Sequence, residues 1–175
     1  MANVFWITGL SAAGKTTLAK LLTDRLRQSG RSVVMLDGDE LREALGSTAE
    51  HERGARLLLA FKYARLARMI ASQGVTVVVG TVALFKEVHA WNRVNQPGYF
   101  EVYLKVAIEE LRRRDPKGIY RRFDAGELQN VAGLDVPVDE PERPDLLIEY
   151  TPGLCPELEL EKLLAAFERS PTVSD

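Results

Sequence analysis

Gly9-Leu10-Ser11-Ala12-Ala13-Gly14-Lys15-Thr16 lies between the apolar run Asn3 to Thr8 and a segment in which Leu18, Leu21, Leu22 and Leu26 recur at helical spacing. It satisfies G-x-x-x-x-G-K-[ST] in the context that pattern needs, after a strand and at the opening of a helix. Glycine reaches backbone conformations closed to other residues, so the N–H groups of Gly9, Ser11, Ala12, Ala13 and Gly14 can turn inward around a phosphate at a helix N-terminus. Lys15 would then neutralise the outer phosphates, and the Thr16 hydroxyl, with Thr17 beside it, would meet a nucleotide-bound Mg²⁺. A glycine-rich turn with an accidental lysine would have to match four specified positions and both flanks by chance. The reading is therefore ATP, with Mg²⁺, held at the first strand-to-helix turn.

Outward from this loop the chain alternates strands and helices. Ser32 to Leu36 and Val75 to Val79 are β-branched runs preceded by Gly30 and Gly74, which suit helix C-caps, and Tyr99 to Val106 and Asp145 to Glu149 supply a fourth and a fifth strand. Leu57, Ala60, Phe61, Ala64, Ala67 and Ile70 mark a longer amphipathic helix, Pro156 to Phe167 a closing one, and Met35 and Met69 read as core. This alternation predicts an α/β fold, a doubly wound three-layer sandwich on a parallel sheet of about five strands, with ligands at the carboxyl ends of the strands. No internal repeat or low-complexity tract interrupts it, so residues 1–169 read as one domain and 170–175 as a short polar tail.

The 175 residues, 46% hydrophobic and 27% charged, suffice for one core without disulfides, and the lone Cys155 has no partner. With 23 Lys and Arg against 25 Asp and Glu the net charge is −2, which argues against nucleic acid or an anionic membrane as partner and for small molecules. The uncharged run Val75 to Phe85 falls short of the ~20 residues that span a bilayer, so a cytoplasmic setting is expected. Charge is unevenly placed all the same. Lys105, Arg112, Arg113, Arg114, Lys117, Arg121 and Arg122 cluster, whereas residues 123–161 hold eleven acids and only Arg143 as a base. A basic helix end favoured by the helix dipole would explain the cluster, and so would a lid that brings cations onto a transferring phosphoryl group.

The second strand runs into Leu36-Asp37-Gly38-Asp39-Glu40-Leu41-Arg42, which puts two carboxylates and an arginine at the sheet's carboxyl edge. One carboxylate there can take the proton of an acceptor hydroxyl, and the arginine can hold an anionic group. An Asx turn capping the next helix accounts for D-G-D equally well. No Asn-Lys-x-Asp guanine reader is present and the third strand ends at Val79-Gly80 without Asp-x-x-Gly, which argues against a switch GTPase. A nucleotide-type kinase remains, with residues 115–135 as a mobile lid hinged at Gly118, Gly126 and Gly133. His51 and His89 lie far from carboxylate or Cys partners, so no zinc site is expected. Trp91 and Phe85 are open to two readings, an acceptor wall or plain packing.

The phosphate loop, the Asp37-Gly38-Asp39 turn with Arg42, Phe100-Glu101-Val102-Tyr103, Arg114-Asp115-Pro116-Lys117-Gly118-Ile119-Tyr120, and Asp139-Glu140-Pro141 with Pro144-Asp145-Leu146 together resemble the adenylyl-sulfate kinase family over about residues 3–168. Members of that family move the γ-phosphoryl of ATP to the ribose 3′-hydroxyl of adenosine 5′-phosphosulfate. The resemblance implies that Asp37 is the general base with Lys15 as its catalytic partner, and that Asp39, Arg42 and Arg56 hold the acceptor. It also implies that Arg114 serves ATP, that Lys117 belongs to the lid at the acceptor, and that the protein is a homodimer acting on small nucleotide substrates.

The chain also departs from the family. Leu59-Ala60-Phe61-Lys62 stands where Asn-Ile-Arg-Arg is usual, and Val82-Ala83-Leu84-Phe85-Lys86 replaces Ile-Ser-Pro-Tyr/Phe-Arg, leaving Phe85 and Lys86 as the acceptor-side residues of that segment. The aromatics that sandwich the acceptor adenine correspond to His51 and Val131. The segment from Leu84 to Arg93 is similar to a branch that includes the cytidine diphosphoramidate kinases, in which the same 3′-hydroxyl chemistry acts on a cytidine nucleotide. Adenylyl-sulfate kinase is thus the first activity implied and cytidine diphosphoramidate kinase the second. A catalytically silent nucleotide-binding protein and a shikimate- or gluconate-type kinase are rivals that the acceptor and lid motifs disfavour.

Overall fold

The computed structural model describes residues 2–46 and 53–170. Among these residues five strands, β1 (Val4–Thr8), β2 (Val33–Asp37), β3 (Thr76–Thr81), β4 (Tyr99–Lys105) and β5 (Leu146–Glu149), form one parallel sheet in the order β2-β3-β1-β4-β5. Among the described residues seven helices lie between and after them: α1 (Lys15–Gln28), α2 (Gly38–Ala44), α3 (Arg53–Ala71), α4 (Lys86–Asn95), α5 (Ile108–Arg114), α6 (Ile119–Asp124) and α7 (Pro156–Glu168). The first strand is central, so the loop that follows it opens at the middle of the sheet's carboxyl edge.

Period-two alternation along β1 divides the interior. Phe5 and Ile7 join Leu18, Leu22, Phe100, Leu163 and Phe167 under α1 and α7, whereas Val4 and Trp6 join Val77, Val79, Ala64 and Ala67 under α3 and α4. The Phe167 ring lies 4.7 Å from Phe5 and 5.3 Å, edge-on, from Phe100, which fixes α7 to the sheet. The inner strands β1 and β3, and β4 as far as Leu104, are buried on both faces, and the doubly wound sandwich expected from the sequence follows. Among the described residues no helix is long and apolar enough to cross a membrane.

Three local expectations need correction. The third strand does not stop at Val79 but runs through Gly80 to Thr81, carried by pairing with β1 and, as far as Gly80, with β2. The buried stripe of α3 is Ala60, Tyr63, Ala64, Ala67 and Ala71, whose four alanines let the helix approach the sheet, and Phe61 and Ile70 sit on its flank. Met69 is 56% exposed on the outer face rather than in the core.

Candidate active site

Two glycines shape the phosphate loop. Gly14 adopts φ 103° as the N-cap of α1, a left-handed conformation that an L side chain strains, and a Cβ on Gly9 would meet the Leu104 carbonyl oxygen at 2.7 Å. Lys15 Nζ donates to Leu10 O at 2.7 Å, folding the ammonium back over its own loop. Burial, and after it the Lys117 charge, lower the Lys15 pKa from 10.5 to about 8, against the opposing pull of Asp39 and Asp37.

The second strand delivers Asp37 to this loop. Thr16 Oγ1 donates to Asp37 Oδ2 at 2.6 Å, and the Asp39 backbone N–H donates to Asp37 Oδ1 at 2.9 Å. The carboxylate is thereby both the N-cap of α2 and a neighbour of the phosphate-loop hydroxyl, so the Asx turn and the candidate carboxylate are the same group. Each oxygen keeps a further lone pair for a proton or a cation. Tyr63, on the inner stripe of α3, donates its hydroxyl to Gly38 O at 3.1 Å and pins the turn from above.

Around these groups lies a cavity of about 1050 Å³ at the carboxyl edge of the sheet. Ser11, Ala12, Ala13, Gly14, Lys15, Thr16 and Thr17 form its floor, Asp37, Asp39, Arg42, Arg56 and Phe85 one end, and Arg114, Leu154, Pro156 and Glu159 the other. Lys117 pairs with Asp39 across the mouth. Burial alone would raise the Asp39 pKa, but the Lys117 ammonium, with Arg42 and Lys15, holds it below the usual carboxylate range. Arg56 donates to Asn130 O, which ties α3 to the segment after α6. From α6, Tyr120 donates to Ser11 O at 2.9 Å, and Arg114 Nη1 reaches Ala12 O at 3.4 Å, so the basic segment is joined to the phosphate loop.

The residues expected from sequence do not all meet here. Lys86 lies outside the cavity, with an exposed side chain and its backbone N–H given to Asp139 Oδ2 at 3.2 Å. Phe61 also lies outside, packed edge-on against Trp91 at 6.3 Å, whereas Leu59, Ala60 and Val131 do line the wall. Trp91 is therefore packing, and Phe85 is wall. His51 falls outside the described residues, and His89 is buried with Nε2 3.2 Å from Ala83 O. Gly9 shapes the loop from behind without lining the cavity.

Sequence reading missed Tyr63, Arg53, Asp139 as a contact residue, and Glu159. Arg53 donates to Asp139 Oδ2 at 3.0 Å and lies 5.3 Å over the Phe85 ring, so an arginine and an acid 86 positions apart hold one wall of the cavity. The signal for Tyr63 was its place on the Ala60, Ala64, Ala67 stripe. The Arg53 contact had none, because charge pairing across that separation is visible only once the chain has folded.

The model of the family described as adenylylsulphate kinase matches residues 1–149. The chain belongs to that family. A cytidine diphosphoramidate kinase of Campylobacter jejuni is 39% identical over 145 residues, covering 83% of this chain and 84% of that protein. A probable adenylyl-sulfate kinase of Aeropyrum pernix is 39% identical over 150 residues, covering 83% of this chain and 82% of that one. Among solved structures, the Mycobacterium tuberculosis APS kinase in complex with AMPPNP and APS superposes with a TM-score of 0.84 at 29% identity, covering 95% of this chain and 98% of that one. As a member of the adenylylsulphate kinase family the protein is a nucleotide-using phosphotransferase with an alcohol acceptor. A gluconokinase of Sinorhizobium meliloti and the shikimate kinase of Aquifex aeolicus, 13% and 14% identical, share the fold alone.

Proposed function

We propose that the protein transfers the γ-phosphoryl of ATP to the ribose 3′-hydroxyl of a nucleotide whose 5′ end carries a phosphate-derived anion, adenosine 5′-phosphosulfate being the first candidate. The observation that carries this reading is the Thr16 to Asp37 hydrogen bond of 2.6 Å, which sets a carboxylate of the acceptor end against the group that meets the donor's phosphates. In this reading Lys15 and the loop N–H groups bind the β- and γ-phosphates. Asp37 accepts the proton of the attacking hydroxyl while Arg42 and Arg56 hold the acceptor's 5′ anion. Thr16 Oγ1 and the Asp37 carboxylate are hard oxygen donors that suit Mg²⁺, which when bound neutralises phosphate charge. Asp39 orients Lys117 toward the phosphates, and Arg114 lies along the donor. Residues 115–135 act as a lid that closes over both nucleotides. A homodimer in the cytoplasm belongs to the same proposal.

A cytidine 5′-diphosphate derivative is the second reading, favoured by Leu59 and Val131 on the cavity wall. Loss of aromatic stacking on a base costs roughly 1–3 kcal/mol, and a smaller pyrimidine loses less of it. A deficit of ~2 kcal/mol is about thirtyfold in kcat/KM. Competition kinetics at fixed ATP, with adenosine 5′-phosphosulfate against cytidine 5′-diphosphate and its phosphoramidate, tests both. Turnover of neither class refutes the proposed reaction, and efficient use of the adenosine compound with no cytidine turnover removes the second reading.

A further inference from the structure

The β1 loop sits between two halves of the cavity. Toward β3 and β2 lie Asp37, Arg42, Arg56 and Phe85, and toward β4 and β5 lie Arg114, Leu154, Pro156 and Glu159. A phosphoryl group in transit has to face the acceptor, so the donor's nucleoside occupies the β4 and β5 half.

Glu159 is unusual in that half. It is only 7% exposed and lines the cavity, and although its backbone N–H donates to Cys155 O, its carboxylate has no hydrogen-bond or ion-pair partner among the described residues. The nearby Arg114 is committed elsewhere, donating to Glu110 Oε1 at 2.8 Å and stacking 4.3 Å over the Tyr150 ring. A carboxylate in the first turn of α7 gains from the helix dipole, but Glu157 supplies that from solvent, without the cost of desolvation. Burial pushes the Glu159 carboxyl up, opposed by Arg114 and Lys162, so the group lacks the donors that ordinarily offset desolvation. A ligand N–H would supply one.

We propose that Glu159 is a specificity-determining residue of the donor site, its carboxylate accepting a hydrogen bond from the exocyclic amino group of the donor adenine. The inference rests on the reading that ATP is the donor, and deepens it. Hydrogen bonds to charged groups discriminate by about tenfold or more in affinity.

Calorimetry in the presence of Mg²⁺ and without acceptor measures the dissociation constants of ATP, of purine riboside 5′-triphosphate, which lacks the 6-amino group, and of GTP. The wild-type protein binds ATP about tenfold more tightly than the deaminated analogue. Glu159→Gln keeps most of that preference because its amide oxygen still accepts, and Glu159→Leu levels the two. Equal wild-type affinity for ATP and the analogue overturns the proposal whether or not the variants fold. So does a preference that survives intact in Glu159→Leu, or a wild-type preference for GTP that Glu159→Leu abolishes. With no acceptor present, such a result bears on Glu159 alone, whereas failure of every acceptor in turnover bears on the proposed reaction.

Discussion

Lys15 should take up a proton when the nucleotide binds. Burial is the main cause that lowers its pKa, to about 8, and Lys117 adds to it. The gap from 10.5 corresponds, at 1.36 kcal/mol per pH unit, to about 3 kcal/mol in favour of the neutral amine. Phosphates placed against the ammonium reverse that balance and return the pKa toward its ordinary range. The bound state then holds the proton more tightly than the free state, so binding takes up protons and ATP affinity falls as pH climbs above 8. At pH 8.5 roughly three quarters of the free protein would have Lys15 neutral, against about a tenth at pH 7. Titration calorimetry with Mg²⁺ and ATP at both pH values, in two buffers of different ionisation enthalpy, counts the protons directly. The γ-phosphate, with a second pKa near ~6, is already ionised at pH 8.5 and contributes none. Lys15→Ala should abolish the uptake and lower kcat at least ~100-fold with the fold retained. No uptake at pH 8.5 in the wild-type protein, or uptake unchanged in Lys15→Ala, would refute the reasoning.

Two further outcomes are expected. Asp37→Asn should cost roughly 10²–10⁴ in kcat with ATP affinity changed only a few-fold, whereas Asp39→Asn should act chiefly on KM for the acceptor by freeing Lys117. The reverse pattern in steady-state kinetics exchanges the two roles. Hydrogen exchange across residues 115–135 should slow when an ATP analogue and an acceptor bind together, because Lys117, Arg121 and Arg122 then gain phosphate partners; exchange unchanged across that segment would remove the lid.

Local chemistry made much of the protein legible before it folded. The G-x-x-x-x-G-K-T spacing declares a phosphate loop because a backbone nest, a lysine and a hydroxyl at those offsets are consecutive in the chain. Strand and helix periodicities predict five parallel strands and the helices between them, since burial on two faces demands unbroken apolar runs. Asp37 and Asp39 were visible for the same reason, lying together at the end of one strand. What the sequence left open depends on contacts between distant segments. That Asp37 is held by Thr16, that Tyr63 braces its turn, and that Arg53 and Asp139 buttress Phe85 follow from the strand order, which brings the ends of β2, β3 and β1 to one edge. Lys86 and Phe61 fell away from the cavity because the helical phase turned Lys86 to solvent and Phe61 against Trp91 on α4. Glu159, an ordinary first-turn acid in the sequence, is a buried carboxylate without a partner only because α7 packs against the sheet beside the phosphate loop.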